Sequence, residues 1–253
     1  MMPGLGTAVK QAGACATRRR RATVQTQSPQ ACSQEEVMRT MFTVVAALAV
    51  AVPAAAQGRD DPDTKVAGGG ALPAGWSART DRGQPLANVH FRPMGGGLHV
   101  TLGPAVILYR DADAARGSYE VNVTYVQTAA PAHPESYGLF IGGSALQGSD
   151  QRYTYFLVRG NGQFLVKRRT GGQTSNLSDG WTAHAAVKAQ DADGKATNAL
   201  SIVVGPERVS FRANGTEVFT AARGDVDADG IAGLRVNHNL DLHIDGFAVK
   251  KKM

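Results

Sequence analysis

From residue 73 to residue 249 the chain is written in short runs whose apolar side chains fall on every second position, and no window of ten or more residues there carries helical apolar spacing, apart from a weak turn at Asp111 to Arg116. A period of two sends successive side chains to opposite faces of a strand, so it restricts this span to sheets and denies it a helical core. The runs expected as strands are Leu98 to Leu102, Ala105 to Tyr109, Tyr119 to Val126, Tyr137 to Ile141, Tyr153 to Arg159, Gln163 to Arg169, Ala199 to Val204, Arg208 to Ala213, Glu217 to Thr220, Ile231 to Val236 and Leu240 to Val249. Gly, Pro, Asn and Asp separate them. Two pairs are joined through Gly160-Asn161-Gly162 and Asn214-Gly215, where Asn-Gly accepts the positive φ angles of a tight hairpin. Short strands without helices predict an all-β sandwich or barrel.

The alternation also assigns faces. Tyr119, Val121, Val123 and Tyr125 point one way while Glu120, Asn122 and Thr124 point the other, and Leu240, Leu242 and Ile244 alternate with Asp241, His243 and Asp245. Each pattern suits a sheet with one buried and one wet face. In the hairpin 153–169, Tyr153, Tyr155, Leu157 and Arg159 share one face and Phe156 and Val158 the other. Both faces are partly apolar, which predicts a central position and exposed aromatics.

Upstream of this domain, Met38-Arg39-Thr40-Met41 precedes an apolar run of 11 residues, Phe42 to Val52, and then Pro53-Ala-Ala-Ala-Gln57. A basic start, an apolar run and a small-residue cleavage site read as a secretory signal peptide over 38–56. A membrane-spanning helix needs about 20 apolar residues, so no span is expected in the mature chain. Residues 1–37 carry Arg18 to Arg21 and no apolar period. They read as a disordered or over-called extension ahead of a start at Met38 or Met41, with a targeting or nucleic-acid-binding arm, or a twin-arginine signal at unusual spacing, as the other readings. Residues 57–72, polar and rich in Gly and Asp, read as a flexible linker, and residues 73–253 as the domain.

After Gln57 the chain holds 21 basic and 19 acidic residues, a net +2, and neither Cys15 nor Cys32. This near balance gives no electrostatic case for nucleic acid or an anionic membrane as partner. The expected destination is export, to the periplasm or beyond, without disulfides.

The strand order resembles the concanavalin A-like lectin/glucanase superfamily, and in particular the exported bacterial 3-keto-disaccharide hydrolase domains. The likeness spans about Trp76 to Val249 and rests on Tyr137-Gly-Leu-Phe-Ile-Gly-Gly143, the hairpin Tyr153 to Arg169, Leu200-Ser-Ile-Val-Val204 with Val209-Ser-Phe-Arg-Ala-Asn-Gly215, and Gly230-Ile-Ala-Gly-Leu-Arg-Val236 with His243-Ile-Asp-Gly-Phe-Ala-Val249. It implies a two-sheet antiparallel jelly-roll sandwich that meets a glycan or small saccharide. Fold alone does not imply chemistry. The Glu-x-Asp-x-x-Glu string of the superfamily's glucanases is absent.

Sugar binding uses an aromatic platform with polar groups for the hydroxyls. Tyr153, Tyr155 and Arg159, with Arg168 across the hairpin and Trp181 in the next loop, are the candidates. If Asn161-Gly162 is a two-residue turn, Arg159 faces Phe164 and Tyr155 faces Arg168. Ordinary cross-strand packing explains the same pattern. For catalysis, Asp241-x-His243-x-Asp245 puts three groups on one strand face roughly 6–7 Å apart, as an acid/base pair, a metal site or simply a wet outer face. A 3-keto-glycoside hydrolase, as the resemblance implies, needs a base on the concave sheet, for which Asp241, His243 and Glu120 are the candidates. Asp225-x-Asp227-x-Asp229-Gly230 matches the first half of a Ca2+ loop, but Val236 stands where the bidentate Glu belongs. A solvated acidic loop and a structural calcium site of the kind the superfamily uses both remain open. No Gly-x-Ser-x-Gly elbow, phosphate loop or dinucleotide fingerprint occurs.

Overall fold

The computed structural model describes residues 62–251. The expected extension, the signal peptide and both cysteines lie outside the described residues. The strands, in chain order, are β1 (Ser77–Thr80), β2 (Val89–Met94), β3 (Gly97–Leu102), β4 (Val106–Ala115), β5 (Tyr119–Gln127), β6 (Ser136–Ser144), β7 (Arg152–Arg159), β8 (Gln163–Thr170), β9 (Gln173–Asn176), β10 (Thr182–Ala183), β11 (Ala196–Val204), β12 (Arg208–Ala213), β13 (Thr216–Ala222), β14 (Gly230–Val236) and β15 (Leu240–Lys251). All eleven expected runs are strands. The expected weak turn at Asp111 to Arg116 is instead largely the end of β4, because Ala114 and Ala115 pair with Ile231 and Gly230 and that ladder outweighs the local helical preference. The added strands β1, β2, β9 and β10 are short or polar, with Pro93 inside β2 and all of β9 exposed, so they carry little alternation.

Two antiparallel sheets result. The eight-stranded sheet has the order β1-β4-β14-β6-β7-β8-β10, with β9 also on β8, and the seven-stranded sheet has the order β13-β12-β11-β5-β15-β3-β2. The inward faces meet in one apolar core that includes Val100, Val121, Leu139, Phe156, Ile202, Phe211, Leu234 and Leu242. Its tyrosines are satisfied where they are buried. Tyr125 Oη donates to the carbonyl of Gly138 at 2.7 Å, and Tyr137 Oη accepts from Asn198 Nδ2 at 3.2 Å.

The segment expected as a linker lies, over its described part 62–72, along the edge of the seven-stranded sheet. Gly69 N donates to Val89 O at 3.1 Å and Phe91 N to Gly69 O at 2.9 Å, while Asn239 and Asn88 hold Thr64. A Cβ at Gly68 would stand 2.0 Å from Ala87 O, and one at Gly70 would stand 1.7 Å from Phe91 O. These glycines therefore permit close backbone approach rather than looseness.

Candidate functional site

The eight-stranded sheet has apolar residues on its outer face too. Ile107, Tyr109, Phe140, Leu146, Tyr153, Tyr155 and Leu157 form a second buried cluster there, with Trp181 and Ile231 packed on it. Cross-strand register builds it. Tyr109 stands opposite Gly233, Gly233 opposite Phe140, Phe140 opposite Tyr155 and Tyr155 opposite Lys167, a continuous row across five strands. Gly233 is needed in that row, because a Cβ there would lie 2.5 Å from both Leu108 O and the Phe140 ring.

A charge sits inside this apolar layer. Arg235, on central strand β14, is 6% exposed. It donates to both carboxylate oxygens of Asp81 at 2.6 and 2.7 Å and to Tyr153 Oη at 3.1 Å, and its guanidinium stands 5.1 Å from the centre of the Tyr155 ring. Asp81 follows edge strand β1, and Arg169 Nη1 approaches the same carboxylate at 3.4 Å. Burial by itself would raise the Asp81 pKa, but hydrogen bonding and the charge of Arg235, then of Arg169, bring it below the ordinary carboxylate value. Burial likewise opposes the charge on Arg235, and the two phenols and Asp81 outweigh it, so the guanidinium is held protonated more firmly than usual. Bidentate geometry is what makes such a buried pair tolerable.

At one end of this sheet Thr80, Val106, Val236, Tyr137, Val158 and Phe164 form one row, and Ser136, Arg159 and Gln163 pair one step beyond it. The residues just beyond it therefore gather. Asp81 and His238 line a pocket of about 380 Å³ together with Asp63, Arg82 and Pro104. His238 Nε2 lies 2.9 Å from Glu135 Oε1, and its Nδ1 lies 3.4 Å from Asp63 Oδ1. Next along the rim, Arg159 stacks over the Trp181 ring at 4.1 Å. Gln163 accepts from Arg159 Nε at 2.9 Å and Asn161 accepts from it at 3.1 Å, which holds the guanidinium over the indole. The end of the sheet thus combines a carboxylate, a histidine between two carboxylates and a half-exposed aromatic with a stacked cation.

Of the candidates expected on the hairpin, Tyr153, Tyr155, Arg159 and Trp181 come together on this face. The two tyrosines are not the exposed platform expected, since they are 0% and 4% exposed beneath the layer just described. Arg168 is on the other face. The β7–β8 turn spans three residues, Gly160 to Gly162, with Gly162 at φ 80°, so Arg159 pairs with Gln163 and Tyr155 with Lys167. The two-residue turn expected from Asn161-Gly162 put the register off by one, and one residue exchanges the faces. Arg168 consequently ion-pairs with Asp227 at 3.1 Å, away from the tyrosines. Asn214-Gly215, by contrast, is the two-residue turn expected, with Ala213 opposite Thr216.

The acidic run does not converge. Asp225 ends a short 3-10 turn, Asp227 faces Arg168, and Asp229 accepts from Arg223 at 2.6 Å and from Gly117 N at 3.2 Å. Among the described residues no group of three or more His, Cys, Asp or Glu side chains is placed to hold a metal ion. Here charge spacing along the sequence is spent on separate arginine contacts.

Asp241 and His243 lie on the outer face of the seven-stranded sheet. Asp241 accepts from Thr101 Oγ1 at 2.8 Å and from Thr128 Oγ1, and meets His99 Nε2 at 3.2 Å. Partial burial would raise its pKa, and the two threonines and His99 together lower it. The His99 and His243 rings stack at 6.4 Å. Glu120 shares the face but pairs with Lys250. It is eight residues along β5 from Thr128, roughly 26 Å away, so it does not meet Asp241. Asp245 caps the Gly246 amide at 2.8 Å. Asp81, Glu135, Arg235 and His238 were not among the expected site residues. The one sequence signal was Arg235 itself, a charge between Leu234 and Val236 in an otherwise apolar strand.

No family model and no curated protein matches the sequence. Among solved structures the chain is similar to the carbohydrate binding module CBM66 from Bacillus subtilis, with 10% identity and a TM-score of 0.51 over 70% of this chain and 96% of that one. It is also similar to a protein of unknown function with galectin-like fold from Bacillus subtilis, with 12% identity and a TM-score of 0.47 over 70% and 89%. An endo-beta-1,3-glucanase from Pyrococcus furiosus gives 10% identity and a TM-score of 0.47 over 72% and 90%. The feature shared with the carbohydrate binding module is the fold, a sandwich that in this chain has two antiparallel sheets. Among the described residues no helix is long and apolar enough to cross a membrane.

Proposed function

We propose that this protein is an exported carbohydrate-binding or carbohydrate-handling sandwich that takes a saccharide at the end of the eight-stranded sheet. The observation that carries this reading is the pocket lined by Asp81, Arg82 and His238 at the end of the sheet, on whose outer face the half-exposed Trp181 ring also lies, stacked by Arg159. An aromatic face with a few convergent polar groups is what a sugar ring, apolar on its faces and hydroxylated at its edge, requires. The pocket is of ligand size. The fold shared with the carbohydrate binding module named above supports the class. Binding to a glycan array, followed by calorimetry on the best ligand with Trp181→Ala and Tyr155→Ala, tests it. Loss with the first variant is expected, and unchanged affinity in both removes this face from the reading.

A second reading, a hydrolase acting on 3-keto-disaccharides, is favoured by one contact, His238 Nε2 at 2.9 Å from Glu135 Oε1 on the wall of that pocket. A ketone at C3 acidifies the C2 proton. A histidine ordered by a carboxylate suits its removal, after which the C1–O bond breaks and the departing oxygen is protonated. Incubation with 3-keto-disaccharides separates the two readings. His238→Ala abolishes turnover if this pocket acts, and His243→Ala does so if the opposite sheet acts.

A further inference from the structure

Charge on the outer face of the eight-stranded sheet does not balance. Around Tyr155 stand three cations, Arg235, Arg169 and Lys167, and one carboxylate, Asp81, is shared by the two arginines. Lys167 lies directly opposite Tyr155 across the β7–β8 ladder, half-buried, and no ion pair reaches it among the described residues. Its pKa is lowered, first by burial and then by the charge of Arg235, so the ammonium sits in a field that lacks an anion. Arg235 Nε, buried with the rest of that side chain, also has no hydrogen-bond partner. A buried donor left unmade is costly, and a native site that keeps one calls for an explanation. Farther along the face, Arg79 bonds among the described residues only the carbonyls of Thr80 and Asp81, at 3.3 and 3.4 Å. There Asp111 stands near Tyr109 as a local counter-charge, so the excess is concentrated at Lys167 and Arg169.

We infer that this face selects an acidic saccharide, with a carboxylate or sulfate of the sugar received by the Lys167 ammonium on β8. The inference rests on the glycan-binding reading and narrows its ligand class. An oxyanion of this kind supplies the missing negative charge, and its acceptor lone pairs match the Lys167 ammonium, which no carboxylate among the described residues meets. The aromatic layer around it lowers the local dielectric, which makes one added anion count for more than it does at an open surface.

Galacturonate oligosaccharides, the same oligosaccharides as methyl esters, and sulfated galactan oligosaccharides, titrated calorimetrically into the purified protein, test it. The esters keep the rings and linkages and remove the charge. At least tenfold weaker binding of the esters is expected, with a similar loss for the acids in Lys167→Met, which retains the buried stem, and recovery in Lys167→Arg. The sulfated arm tells a carboxylate-specific site from a general oxyanion site. Equal affinity for acid and ester overturns the inference while the glycan reading stands, as does an acid preference that survives Lys167→Met. Absence of binding to any saccharide, neutral or acidic, brings down the glycan reading first and the inference with it.

Discussion

On the seven-stranded sheet the outward positions form polar rows, with His90, Thr101 and Asp241 side by side and Arg92, His99 and His243 in the row beside them. On the eight-stranded sheet the corresponding positions are Tyr109, Phe140 and Tyr155, and the charged Arg235 lies among them rather than in water. Both sheets obey the same alternation toward the shared core. They differ in what the second face was given, and that decides whether a carboxylate meets hydroxyls or a buried guanidinium. Asp241 is held by two hydroxyls and a histidine at a side-chain exposure of 35%, whereas Asp81 is 29% exposed and answers a guanidinium that is almost wholly buried. Similar residues therefore carry different energies on the two faces.

The largest expected difference comes from removing Asp81. Asp81→Ala leaves Arg235 buried without its partner and should cost about 3–5 kcal/mol in urea unfolding. Adding Arg235→Met should restore most of that loss, since an apolar side chain suits the layer around it. If Asp81→Ala costs no more than Asp241→Ala, the two faces are energetically alike and the contrast fails. Gly233→Ala sharpens the same contrast. It forces a Cβ against Leu108 O and the Phe140 ring, and a loss of about 1–3 kcal/mol by thermal or urea unfolding is expected.

Trp181→Ala should weaken saccharide binding about tenfold, about 1.4 kcal/mol, by calorimetry. The smallest effect concerns acid. Both carboxylates titrate below their ordinary value of 3.8 in the folded protein. Each therefore contributes stability that is complete above about pH 4 and is lost as pH falls through the depressed folded value. Asp241→Asn should flatten that acid limb by less than about 1 kcal/mol, because solvent screens a side chain this exposed. Asp81→Asn should flatten it more, and unfolding curves between about pH 2 and about pH 6, the window of carboxylate titration, measure both.

The strands were readable from particular residues. Tyr119 to Tyr125 and Leu240 to Ile244 alternate without interruption, and both lie where expected with their apolar members inside. The β7–β8 hairpin was readable as a hairpin but not in register, since Gly160-Asn161-Gly162 permits a two- or a three-residue turn and each sends Arg168 to a different face. The site was less legible still. Asp81, Glu135, Arg235 and His238 are separated by up to 157 positions along the chain and share no spacing rule. They meet because β1, β4, β14, β6, β7 and β8 end within one residue of a common row.

Side-chain period and turn chemistry are local properties, so the sequence by itself determined that residues 73–249 form antiparallel sheets and which side of each clear strand turns inward. Which strands become neighbours, which outer face is roofed by aromatics, and which carboxylate Arg235 finds were decided only by tertiary structure. Those outcomes depend on pairings between segments remote along the chain, where a shift of one residue or a different neighbour leaves the local pattern unchanged and moves every charge.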